Sequence, residues 1–98
     1  MAKVLILWEM NTDAIPTDPA QQTALYGRLG AMTKQALDSG KVKDWGIFAG
    51  GHAGYSIADE TSAETLSRTL QFSPYVKFQV NPVLGIDDVM KIMQSMPK

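Results

Sequence analysis

Gly50-Gly51-His52-Ala53-Gly54-Tyr55-Ser56-Ile57-Ala58-Asp59, the later run Phe72-Ser73-Pro74-Tyr75-Val76-Lys77-Phe78-Gln79-Val80-Asn81-Pro82-Val83-Leu84 and the helical segment between them decide the fold of this 98-residue chain. The paired glycines supply the positive-φ freedom of a tight hairpin. Val42 to Ala49 is the strand entering that turn, and Ala53 to Ala58 is the strand leaving it. Asp59 to Ser62 carries the chain out of the sheet. Thr61-x-x-Glu64 then reads as a capping box for a helix through Gln71, with Leu66 and Leu70 as its anchors to the sheet. Tyr75 to Val80 is a further strand, ended by Asn81-Pro82 because proline has no N–H to give a ladder. Along it Val76, Phe78 and Val80 share one face; Tyr75, Lys77, Gln79 and Asn81 share the other.

Upstream, Val4-Leu5-Ile6-Leu7-Trp8 is a continuous apolar run, the mark of a strand covered on both faces. A polar loop from Asn11 ends in Asp18-Pro19, an N-cap followed by proline at the first helical position. Leu25, Leu29, Met32, Ala36 and Leu37 then form one stripe at helical spacing, which predicts a helix from Pro19 to Ser39, stopped by Gly40. Downstream, Asp87 is expected to cap a last helix carrying Val89, Met90, Met93 and Met96, a stripe suited to a subunit contact. The order is βαββαβ plus a C-terminal helix: an α+β, ferredoxin-like domain over residues 1–98 with an antiparallel four-stranded sheet. Two helices cover only one face of such a sheet. Because the first strand is apolar on both sides, the other face is expected to meet a second sheet, giving a homodimeric α+β barrel whose interior holds side chains or one small ligand. A higher oligomer stays open.

Composition narrows the function classes. Nine basic against ten acidic residues give a formal charge of −1, with no basic stripe to engage a phosphate backbone, so nucleic acid is not an expected partner. There is no cysteine, which excludes a disulfide framework and a thiolate zinc site. One histidine among scattered carboxylates offers no metal-ligand cluster, and no cofactor motif is present. The longest apolar run, Val4 to Trp8, is too short for a membrane span, so a cytoplasmic protein is expected.

The run from Phe48 to Asp59, then Leu66 and Leu70, then Phe72-Ser73-Pro74-Tyr75-Val76 and Phe78-Gln79-Val80, resembles the C-terminal two-thirds of muconolactone isomerases, and is similar to related small dimeric α+β-barrel proteins. The resemblance covers residues 40–84 well and the first strand and helix by pattern. It implies the barrel-forming ferredoxin-like fold, dimers that can assemble into rings, and movement of a ring double bond by proton transfer without cofactor. Here His52 precedes Tyr55 by three residues, where those isomerases carry the histidine four before; in a strand that step exchanges faces.

The candidate chemistry follows. Histidine changes charge near neutrality, and His52 is the only one, so it is either the proton carrier or an exposed turn residue. Tyr55 either donates a hydrogen bond to a substrate carbonyl or fills the core. Lys77 either holds developing negative charge or is a solvated strand lysine. Glu9 ends the first strand and is a secondary base if partly buried. Gln79 neighbours Lys77 on the polar row, and Trp8 and Trp45 are candidate walls of an aromatic pocket. The first reading is a small-molecule site inside each barrel half, binding a compact anionic or carbonyl-bearing ring and isomerising it. The alternatives are a non-catalytic binding, sensing or assembly domain, with Trp8, Phe48 and Tyr55 filling the cavity, and a cofactor-independent oxygenase using Asn11, Trp45 and His52.

Overall fold

The computed structural model describes residues 3–97. In chain order they form β1 (Lys3–Met10), a single 3-10 turn at Thr12–Ala14, α1 (Pro19–Asp38), β2 (Val42–Ile47), β3 (Ala53–Asp59), α2 (Ser62–Leu70), β4 (Val76–Val83) and α3 (Ile86–Gln94). The strands make one sheet in the order β2-β3-β1-β4, each neighbour antiparallel, so the architecture is α+β and ferredoxin-like. Local chemistry accounts for both crossover helices. The Asp18 carboxylate accepts from the Gln21 N–H at 3.0 Å ahead of Pro19, and Thr61 and Glu64 cap α2 reciprocally. Leu25, Leu29 and Phe72 form the buried cluster between the helices and the sheet, packed against Met10, Val76 and Phe78.

Four local expectations change. The fourth strand does not stop at Asn81-Pro82 but runs on to Val83, with Pro82 opposite Val4. An edge strand has one neighbour and needs only half of its N–H groups, so a proline fits there. Leu66 and Leu70 do not anchor α2; they are 59% and 61% exposed. The helix is turned instead to bring Thr65 and Arg68 onto the Glu60 carboxylate buried at the end of β3. Asp87 lies inside the first turn of α3 rather than at its cap, which is Gly85 and lacks a side-chain bond. At the β2–β3 hairpin the positive-φ residues are Gly51 and His52, at 77° and 66°, not the glycine pair. The turn closes through Phe48 N–H to Ala53 O at 2.8 Å, and the His52 carbonyl accepts from Met10 N–H at 2.7 Å.

The molecule measures 62 × 25 × 24 Å, with a radius of gyration of 16.5 Å. A compact chain of this length has about 13 Å. The excess comes from α3, which projects from the body with every residue exposed.

Candidate functional site

Strand alternation divides the site residues. On the side under the helices β1 presents Val4, Ile6, Trp8 and Met10, and the register places Ala58, Ser56 and Gly54 of β3 beside the first three. Those three β3 residues are small and buried. Of the three, Ser56 borders the open space beneath the helices. Gly54 is held to glycine by close approach: a Cβ there would strike the Gly46 carbonyl oxygen and come within 2.5 Å of the Trp8 ring. On β2 a bulge between Val42 and Asp44 takes up Lys43, so Val42, Trp45 and Ile47 all lie opposite this row.

The result is a cleft of about 590 Å3 between α1 and the sheet. Trp8 and Trp45 wall one side with rings stacked at 5.4 Å and 9°. The Trp8 indole N–H donates to the Tyr55 carbonyl at 3.3 Å, which fixes the ring. Leu29, Phe72, Val76 and Phe78 complete the apolar lining, with Phe72 and Phe78 edge-to-face at 5.8 Å. Tyr26, Lys34, Trp45, Ile47 and His52 stand exposed at the mouth.

Two polar groups reach into this apolar space. Ser56 is 4% exposed and lines the cleft, and among the described residues its hydroxyl makes no hydrogen bond. No buried side-chain N or O atom among the described residues lacks a partner, so this hydroxyl opens onto the cleft, where a ligand can hydrogen-bond to it. Arg68 also lines the cleft. Its Nε and Nη2 donate to both Glu60 oxygens, at 2.7 to 3.3 Å, with the two side chains 16% and 0% exposed. Thr65 donates to the same carboxylate at 3.0 Å. Glu60 thus holds Arg68 in place, while Nη1 has no protein partner among the described residues.

The structure gathers three of the expected site residues, Trp8, Trp45 and His52, at the cleft. It separates Tyr55, Glu9, Lys77 and Gln79 from them, on the opposite face of the sheet. There Glu9 lies opposite Lys77, and Leu7 lies between Tyr55 and Gln79. The Tyr55 phenol donates to Asp44 Oδ2 at 2.8 Å, and this hydrogen bond, with partial burial and the Asp44 charge, holds the phenol above its ordinary titration range. Phe48 stacks on Tyr55 at 6.5 Å on this side, so it does not fill the cleft. The expected grouping of His52 with Tyr55, Glu9 and Lys77 is therefore not formed within one protomer: the sheet stands between them. Asn11 is likewise engaged elsewhere, its amide donating to Pro74 O at 2.9 Å. Ser56, Arg68 and Tyr26 are among the cleft residues that sequence reasoning missed; the small-residue alternation Gly54-x-Ser56-x-Ala58 was a signal for Ser56, and none marked the two helix residues. Among the described residues no three His, Asp or Glu side chains form a metal-ligand set.

An antiparallel four-stranded sheet with two helices on one face and an aromatic-walled cleft beneath them places the chain in the ferredoxin-like α+β-barrel class. The chain belongs to the family described as a domain of unknown function, DUF3303, whose model matches residues 5–97. No curated protein matches it. Among solved structures it is similar to muconolactone isomerase, with a TM-score of 0.64 and 26% sequence identity over 83% of this chain and 88% of that one. No helix among the described residues is long and apolar enough to cross a membrane.

Proposed function

We propose that the cleft under α1 binds a compact ring-bearing small molecule and isomerises it by proton transfer without a cofactor. The observation that carries this reading is the aromatic-walled cleft itself, lined by the Ser56 hydroxyl and by Arg68, whose Nη1, like that hydroxyl, has no protein partner among the described residues. The ring lies along the Trp8–Trp45 pair, its carbonyl or carboxylate takes up Ser56 and the spare Arg68 donors, and His52 at the mouth carries the proton. The likeness to an isomerase supports the reaction class. Leu5, Leu7, Tyr55, Ile57 and Val83 give the opposite face of the sheet an apolar surface, on which a second copy packs to form a homodimeric barrel. Tyr55, Lys77, Glu9 and Gln79 then belong to that contact rather than to the reaction. The working place of the dimer is the cytoplasm.

The test uses muconolactone as probe in deuterium oxide, with incorporation followed by proton NMR. The wild-type chain is expected to accelerate exchange at the ring, and His52→Ala to lower that rate by about 100-fold or more. Ser56→Ala weakens retention of the probe while the fold persists. Exchange no faster than in buffer, with no saturable change in tryptophan emission, overturns the proposal. Saturable emission change without exchange favours the non-catalytic binding reading.

A further inference from the structure

Residues 86–96 carry six large apolar side chains, Ile86, Val89, Met90, Ile92, Met93 and Met96, and all are exposed. An isolated helix of nine residues is marginal in water, so α3 needs a surface to persist. The same chain has an unfinished one: the mouth of the cleft, where Tyr26 of α1 and Trp45 and Ile47 of β2 are exposed around an apolar interior. The two features do not meet within one protomer, where α3 projects from the body with every residue exposed. β2 and β4 are opposite edges of the sheet, about 14 Å apart. Only Leu84 and Gly85 link β4 to α3, a reach of about 7 Å.

A second copy resolves the mismatch. When two such sheets pack face to face about a two-fold axis running along the strands, β4 of one lies beside β2 of the other. The chain leaving β4 then arrives level with the Val42 end of its neighbour's β2, and α3, running back along that edge, reaches the Trp45 and Ile47 side of the neighbour's cleft. We infer that α3 crosses to a second copy of this chain and roofs that copy's cleft between α1 and β2, with the exchange made reciprocally. The inference rests on the two-sheet dimer proposed above and adds to it: each site is completed by the partner's last helix, and one protomer alone leaves its ligand open to water. The methionines suit such a roof, because their unbranched side chains adapt to whatever lies beneath.

The chain has no cysteine, so two can be introduced without background. The experiment takes the full-length Ile47→Cys/Met93→Cys double variant, oxidises it mildly and resolves it on a non-reducing gel, beside sedimentation of the unmodified chain. A covalent dimer is the expected product. The tryptophans provide a second reading, because both wall the cleft. Met90→Glu/Met93→Glu, at exposed positions that leave the body of the fold intact, should raise acrylamide quenching of their emission about two-fold. An intrachain disulfide in a monomer overturns the crossing. So does a chain that sediments as a dimer yet forms no disulfide and keeps its quenching unchanged; the two-sheet dimer survives that result. A monomeric full-length chain overturns both.

Discussion

On the side of the sheet under the helices, β3 shows Gly54, Ser56 and Ala58; on the opposite side, the same strand shows Ala53, Tyr55, Ile57 and Asp59. The first set is small, and the cleft that Ser56 lines is walled by Trp8 and Trp45 drawn from the strands on either side. The second set is larger, and its polar members are engaged: Tyr55 with Asp44 across the strand pair, Asp59 through its own N–H to Lys41 O. One strand thus serves two purposes by alternation alone. A one-residue slip in its register would put Tyr55 in the cleft and Ser56 on the outside. The lesson concerns assignment: proximity in sequence, such as His52 beside Tyr55, says nothing of a shared site until the face of each is known.

That contrast is open to attack, and the largest effect is expected on the helix side. Arg68→Ala leaves the Glu60 carboxylate, whose side chain is fully buried, without its charged partner. Breaking a buried pair this way costs about 3 kcal/mol or more, so the melting temperature should fall by about 12 °C or more in a domain of this size. Gly54→Ala comes next. Its new Cβ meets backbone at Gly46 and the Trp8 ring, and the expected cost is about 2 kcal/mol, visible in chemical denaturation and in altered near-ultraviolet dichroism of the tryptophans. A Gly54→Ala chain of unchanged stability would refute the tight contact between β2 and β3.

The smallest effect belongs to the open face and is read by pH. Folding raises the Tyr55 phenol above the usual tyrosine value of 10.0. A group raised by folding adds stability that is complete below its unfolded value and is lost as pH climbs through the folded one. Absorbance near 295 nm should therefore show Tyr55 ionising late, and Asp44→Asn should bring it back toward the usual tyrosine value. Asp44→Asn should leave the cleft undisturbed. If it alters tryptophan emission as strongly as Ser56→Ala alters probe retention, the separation of the two faces fails.

Much of the architecture was readable from residue order. The caps at Asp18 and Thr61, the stripe from Leu25 to Leu37 and the alternation of Val76, Phe78 and their neighbours are local signals with local causes, and each stands in the structure. The site was only half readable. Alternation put Lys77 and Gln79 together on the face away from the helices, yet nothing in the order of residues says which face encloses the larger space. That depends on the Lys43 bulge, which re-aims Trp45, and on the small side chain of Ser56 where β3 lines the cleft. The rotation of α2 was illegible for a similar reason. Leu66 and Leu70 look like anchors by periodicity, but the buried Glu60 draws the opposite side of the helix inward.

Ser56 also acts as a gauge of ligand size. This residue is buried on a central strand and lines the chamber, so adding methyl groups there raises its floor stepwise without touching the loops around it. Threonine or valine at Ser56 would exclude bulkier rings first and admit smaller ones last. Selectivity in this fold is thereby adjustable from beneath, through a strand that never contacts solvent on that side, while the surface seen by other molecules stays the same.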